Sequence, residues 1–315
     1  MLIKLNTYLK LLLIIFIVHS TISANTINPN AGSSAFSFLK INISARAVAM
    51  GSAFTGLADD ESSLYYNPAR ITVYDEQRLI VGYHNYFSDI QTGFIGFIKN
   101  SGKKGNIGFY ISYLNYGDFT ETDQTGNILG DFGGNDLLVG ITYAYRYNYK
   151  YSFGISGKLI YEKIQDFSAS CVAVDIGAKY ISDRRRFGAG ILIQNLGFQS
   201  SSLGAEKNKL PLIIRSGVSY KPKGLPLSLT GDLVIPIDNN IYLAFGGEYY
   251  NFKPFYIRLG WSSFGSNFQT LESSVGWEGI SMGFGLDIKK MQFSYSFTPA
   301  DNLGDSHRIT LTRGL

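Results

Sequence analysis

The rhythm of its connections constrains this chain more than any other feature. After residue 78, fourteen strand-like segments follow one another, and short and long connections between them take turns. The segments run 78–86, 90–99, 105–115, 137–148, 151–162, 171–181, 187–196, 210–220, 226–235, 240–250, 254–262, 281–288, 290–298 and 306–313. Each is close to the roughly 9–11 residues that a tilted strand needs to cross a bilayer. Connections after even-numbered segments are hairpin-sized and mostly basic, as in Ser182-Asp183-Arg184-Arg185-Arg186 and Lys221-Pro222-Lys223-Gly224. Connections after odd-numbered segments are mostly longer, at 116–136, 163–170, 197–209, 263–280 and 299–305. Loops on one face, turns on the other and an even strand number are the pattern of a bacterial outer-membrane barrel.

Alternation within the segments says what each side touches. In 171–181, Val172, Val174, Ile176, Ala178 and Tyr180 oppose Ala173, Asp175, Gly177 and Lys179. In 290–298, Met291, Phe293, Tyr295 and Phe297 oppose Gln292, Ser294, Ser296 and Thr298. A soluble sandwich alternates as well, with its apolar side against a second sheet, so alternation alone leaves both open. The 22 Tyr and 22 Phe favour the barrel, because many Tyr, such as Tyr143, Tyr145, Tyr147 and Tyr220, stand near segment ends, where a membrane barrel carries its aromatic girdle. Tyr and Phe are also simply good strand formers.

The first 24 residues are a separate object, expected to be a cleaved signal peptide. Lys4 and Lys10 supply the positive region, Leu11 to Val18 the apolar region and Ile22-Ser23-Ala24 the small-residue cleavage site. No later segment holds 18 consecutive apolar residues, so no membrane helix is expected. An exported chain of alternating strands belongs in an outer membrane. The sequence therefore predicts an all-β, 14-stranded antiparallel transmembrane β-barrel over 78–315, preceded by a plug segment at 25–77.

The plug segment differs in character from the rest. Small residues from Ser44 to Ala58 permit tight packing inside a lumen. Asp59-Asp60-Glu61 places negative charge at the start of a short helix predicted to run through Tyr66, which Pro68 stops. On the barrel, alternation turns charges of both signs inward: Arg146, Lys158, Asp175, Lys179, Arg215, Asp232, Glu248, Arg258 and Arg308. Lys158 or Lys179 with Asp175 or Glu162, Arg215 with Asp232 and Glu248 with Arg258 are the expected pairs, bracing a filled interior rather than lining an ion path. The arginines among these inward charges, Arg146, Arg215, Arg258 and Arg308, are expected to hold Asp59, Asp60 and Glu61.

The run from Ser44 to Ala69, with Arg46, Met50, Gly51, Asp59, Asp60, Asn67, Pro68 and Ala69, resembles the signature of FadL-like outer-membrane barrels, and more closely that of the PorV/PorQ family associated with type IX secretion. Gln194-Asn195-Leu196-Gly197, Leu210-Pro211 through Gly217, and Phe297-Thr298-Pro299 through Ile309 resemble the same family, so the likeness spans about residues 41 to 315. The resemblance implies a plugged or gated fourteen-strand barrel. FadL-like members pass hydrophobic molecules through the lumen and laterally into the membrane, and PorV-like members hold secreted cargo at the cell surface.

Two functions follow as expectations. A secretion scaffold would present Phe119, Phe132, Leu203, Phe264 and Phe268 as loop anchors for cargo proteins or secretion-machinery subunits. A transporter would line a continuous cavity for a hydrophobic small ligand, with Asn67-Pro68-Ala69 at its base. The closer resemblance favours the scaffold. No catalytic constellation stands out: His84 and His307 lie on the first and last strands but point to opposite faces, and no phosphate-cradling loop occurs. A net charge of +4 without a basic tail argues against nucleic acid. Cys171, the only cysteine, permits no internal disulfide and reads as a small buried or lipid-facing side chain. A monomeric barrel in outer-membrane lipid, without cofactor or metal, is the expectation.

Overall fold

The computed structural model of the protein describes residues 28–86, 89–102, 105–264, 279–299 and 304–315. The proposed signal peptide, Phe268 and the segment Asp301-Asn302-Leu303 lie outside these residues. Fourteen antiparallel strands form one sheet: β1 (Arg78–Asn85), β2 (Gln91–Asn100), β3 (Asn106–Thr122), β4 (Ile128–Arg146), β5 (Tyr151–Ile164), β6 (Phe167–Ile181), β7 (Phe187–Ser201), β8 (Ile213–Tyr220), β9 (Leu227–Pro236), β10 (Tyr242–Tyr249), β11 (Phe255–Ser262), β12 (Ile280–Ile288), β13 (Met291–Thr298) and β14 (Ser306–Gly314). Each pairs with its sequence neighbours, and β14 closes on β1 from Arg78–Gly314 to Asn85–His307.

Closure decides between barrel and sandwich. A single closed ribbon has no second sheet to cover its apolar side, and here that side faces outward: Ile141, Phe153 and Leu159 are 53%, 51% and 63% exposed, while inward Thr142, Ser156 and Lys158 are 0%, 0% and 2% exposed. That sense is the reverse of a water-soluble protein and suits hydrocarbon outside, with every backbone group satisfied within the ring.

The long connections are shorter than the sequence suggests. The expected loop 116–136 is mostly strand, since β3 and β4 continue as a paired hairpin to a turn at 123–127, and the expected loop 163–170 shrinks to Gln165-Asp166 between β5 and β6. β7 likewise runs on to Ser201. Beyond the bilayer both faces of a strand are wet, so apolar alternation stops while backbone pairing continues, and a reading based on alternation ends the strand too early. Register shifts between Asn115 and Asp118 and between Glu121 and Thr122 mark the transition. Asp123 closes the tip by accepting from the amides of Thr125 and Asn127 at 2.8 and 2.9 Å.

Residues 28–77 occupy the lumen. They contain a 3-10 turn at Ser37–Lys40, helix α1 (Ala45–Ala49), helix α2 (Ser63–Tyr66) and a second 3-10 turn at Pro68–Val73. Helix α2 is shorter than expected, because Asp59-Asp60-Glu61 precede it: the Asp60 carboxylate accepts from the Ser62 amide at 2.9 Å and from the Ser62 hydroxyl. Pro68 does more than end α2. Asn67 is extended at φ −166°, and Pro68 then opens the next turn at a position where its missing N–H costs nothing. The apolar core lies between plug and wall, where Phe38, Leu39, Phe54, Leu64, Tyr65 and Tyr66 pack with Ile80, Ile98, Tyr110, Leu114 and Leu138 of β1 to β4. Inward-facing Cys171 belongs to this core. The opposite wall, β8 to β14, presents Arg215, Asp232, Glu248, Arg258 and Arg308 instead.

Candidate functional site

A central tie between the plug and the polar wall runs through the guanidinium of Arg46. Arg46 of α1 grips Glu248 of β10 with two parallel bonds, Nε to Oε2 and Nη2 to Oε1, both 2.8 Å. Its Nη1 reaches back to Asp59 at 2.8 Å and Asp60 at 3.2 Å. Arg258 of β11 completes the group, donating Nε to Glu248 Oε2 at 2.7 Å, and Lys221 stands 3.3 Å from Asp59. Burial alone would raise the Asp59 carboxyl, but Arg46 above all, with Lys221 and Arg70, holds it well below the usual carboxylate range. The plug acids thus depend chiefly on the plug's own Arg46 and on Lys221. Glu61 meets Arg78 at 3.3 Å. The expectation is corrected in its residues: Arg146, Arg215, Arg258 and Arg308 pair with none of these acids, and the barrel arginine that does is Arg78 of β1.

Glu61 is the exception in sign. Burial, with neighbouring Asp60 adding to it, pushes its carboxyl up to about 7 against the opposing pull of Arg78. An acid that binds its proton more tightly when folded stabilises the fold below its unfolded pKa of about 4.3 and loses that contribution as pH rises to about 7. The thermal transition of the purified barrel is therefore expected to fall across that window, and Glu61→Gln to flatten the fall; an equal slope in the variant would refute the assignment.

The wall receives the plug on glycine. Gly154 pairs with Gly177, Gly190 with Gly217 and Gly246 with Gly260 across neighbouring strands, all facing inward. A Cβ on Gly154 would lie 2.4 Å from Pro68 C, one on Gly190 2.3 Å from Thr55 O, and one on Gly260 1.9 Å from Gly51 N. These glycines are seats for plug backbone. Gly51 itself needs the absence of a side chain twice over, with φ at +66° and carbonyls of Phe245 and Trp261 within 2.7 Å of any added Cβ. Asn67 fits the gap over Gly177 and donates to the Thr55 and Ala178 carbonyls, each at 3.3 Å. Met50 and Ala69 are wholly buried.

Of the inward charges, Lys158 meets Asp175 at 2.5 Å, and both touch Asn195, whose positive φ forms a bulge in β7. Arg215 does not pair with Asp232. The register sets Arg215 opposite Val234, and Asp232 is occupied by the amides of Phe54 and Thr55 at 3.0 and 2.8 Å. Arg146 is exposed at the turn-side rim, bonded to the Thr72 carbonyl, rather than inside the lumen. Lys179 donates to the Leu57 carbonyl at 3.2 Å, and Arg308 to Asn42 O at 3.2 Å and Ser306 Oγ at 2.9 Å. His84 and His307 bond to different partners, Ser306 and Tyr295, on opposite faces of the wall.

Above the plug, toward the loop side, lies a cavity of about 320 Å³ between the Ser37–Lys40 turn and the β8–β14 wall. Ile41, Val48, Ile213, Pro236, Tyr242 and Phe264 line it, with Arg215, Arg308 and the Lys40–Asp238 ion pair as its charged groups. Arg215 is 4% exposed, and its Nε and Nη1 have no hydrogen-bond partner among the described residues. The plug closes the cavity from below, since Ala45, Ala47, Ala49, Met50, Ala53 and Phe54 have no exposure. Asn67-Pro68-Ala69 does not form the cavity floor, as a transporter reading expected. It stands behind β5 to β7, and Gly51, Ser52 and Val48 form the floor instead. The proposed anchors do not gather on one surface: Phe119 and Phe132 face each other at 5.4 Å on the β3–β4 hairpin, Leu203 packs on the core, and Phe264 lines the cavity. Sequence reasoning missed the latch of Lys40 on Asp238 at 2.7 Å and the Asn106 amide bonded to Ile71 O and Tyr74 O. An inward-facing Asn at a strand start was the available signal for the second.

No family model matches the chain, and no curated protein matches it. Among solved structures it is similar to the toluene transporter TodX of Pseudomonas putida, with TM-score 0.58 and 12% identity over 85% of this chain and 96% of that one. A TodX deletion mutant described as a monoaromatic hydrocarbon channel gives TM-score 0.60 and 12% identity over 86% and 98%. The CymD monoaromatic hydrocarbon channel gives 0.58 and 10% over 89% and 99%. At such identities the likeness is one of fold: the chain shares the closed fourteen-stranded barrel of these channels.

Proposed function

We propose that the protein is a non-catalytic outer-membrane channel that takes up a small amphipathic molecule from the loop side. The cavity above the plug carries this reading. Its lining suits an apolar body, and the buried, unpartnered Arg215 guanidinium suits a polar, preferably anionic, end, because an unsatisfied buried cation is costly until a ligand meets it. The named neighbours, which are hydrocarbon channels, favour transport over a secretion scaffold. Cargo holding of the PorV/PorQ kind rests on sequence resemblance alone.

Retention of radiolabelled decanoate and decanol by the purified protein in nanodiscs tests the proposal. Arg215→Met is expected to weaken decanoate about tenfold or more, the loss of one charge-assisted bond, and to leave decanol within about twofold. No retention of either probe by the wild type, or equal loss of both in the variant, would sink it.

A further inference from the structure

The opposite mouth of the barrel, where the short turns lie, holds a second cavity of about 540 Å³ between the Pro68–Val73 turn of the plug and the turns joining β4 to β5 and β6 to β7. By the rule that short turns face the periplasm, this mouth opens inward to the cell envelope. Its cations fall into two groups. Lys150 and Lys221 have carboxylate partners, Asp183 at 2.9 Å and Asp59 at 3.3 Å. Arg70, Arg146, Lys179, Arg185 and Arg186 have no carboxylate within ion-pair distance among the described residues, and Asp75 is the one further acid on the lining. Five cations less one carboxylate leave an excess of about four positive charges around one concave space.

The excess is built in. Lys179 is 4% exposed and has only the Leu57 carbonyl for its ammonium among the described residues. Arg70 Nε is buried without a hydrogen-bond partner among the described residues. Burial lowers the affinity of the Arg70 guanidinium for its proton; Asp59 and Tyr74 oppose this, and the charges of Arg146 and Arg185 add to the lowering. Like charges gathered in a partly desolvated pocket repel and cost stability, and an anion bound among them removes that cost. Guanidinium forks match the paired oxygens of phosphate, and the volume is that of a small-molecule site.

We infer that the periplasmic mouth binds a multiply charged phosphate-class anion through Arg70, Lys179, Arg185 and Arg186. The site is separate from the cavity above the plug and does not depend on what that cavity takes. Two sources could supply the phosphate: a soluble phosphate compound, or the headgroup of an inner-leaflet phospholipid, since the exposed rings of Tyr149 and Phe187 on the same rim offer apolar surface beside the cations.

Calorimetric titration of the full-length protein in maltoside detergent at low salt, with pyrophosphate as the probe, tests the inference. The wild type is expected to bind, more weakly as salt is raised. The double variant Arg185→Gln, Arg186→Gln is expected to bind at least about tenfold more weakly. Arg184→Gln, on the same turn but off the lining, is expected to match the wild type. Heat-modified gel migration confirms that each variant is folded. Absence of binding by the wild type, or the same loss in Arg184→Gln as in the double variant, overturns the inference. Displacement of pyrophosphate by short-chain phosphatidylglycerol assigns the phosphate to a lipid headgroup, and failure to displace it assigns a soluble anion.

Discussion

Arg46→Ala is expected to release the plug from the wall at a cost of about 3–5 kcal/mol, the range for removing one partner from a buried ionic group. The size follows from what is left behind. Glu248 loses a bidentate partner and keeps only Arg258, while Asp59 keeps Lys221 and Asp60 loses its cation. Arg46 also lies over the Phe54 ring at 5.4 Å, so packing is lost together with charge. Arg46→Lys is expected to recover only part of the loss, because one ammonium cannot grip Glu248 twice and still reach Asp59. Protease cleavage within 28–77 of the purified barrel reads the effect directly. Protection equal to that of the wild type in Arg46→Ala would show that the ionic group does not hold the plug.

Gly260→Ala is expected to do comparable damage without touching a charge. The new methyl would stand 1.9 Å from Gly51 N and 2.3 Å from Met50 C, and the opposing atoms are backbone on both sides, so no side chain can swing away. Either β11 bows outward or α1 and Gly51 lift off the wall, at a cost of about 3 kcal/mol or more. Gly93→Ala is the matched control, since nothing lies within 4 Å of a Cβ there, and it is expected to change stability by no more than about 0.5 kcal/mol. Conductance in planar bilayers separates the two outcomes: Gly260→Ala is expected to open a leak that the wild type and Gly93→Ala lack. Three indistinguishable traces would mean that the glycine seats are incidental to plugging.

How far the sequence was legible depended on the range of the interaction. Inward charges such as Lys158, Asp175, Glu248 and Arg258 were readable because strand parity is a local rule. Which of them meet was only partly readable. Glu248 stands directly opposite Arg258 in the register, but Arg215 faces Val234, and two plug amides take the carboxylate of Asp232. The contact of Arg46 with Glu248 spans 202 residues, and no local pattern contains it. The loop anchors failed for a related reason: a Phe beyond the bilayer looks the same in sequence whether it stands free, pairs across a hairpin as Phe119 and Phe132 do, or lines a cavity as Phe264 does.

Period-two alternation, turn spacing, an even strand number and tyrosines near strand ends were enough to predict a fourteen-stranded membrane barrel, because every strand of a closed ring meets the same two solvents; that the apolar side faces outward is decided by closure of the sheet. The plug's path was decided only in three dimensions. Which glycine receives which stretch of its backbone, which carboxylate answers Arg46, and why Arg215 stays unpartnered above it all depend on groups far apart in the chain. Those contacts are set by the curvature and register of the closed wall, and neither quantity is written in any single segment.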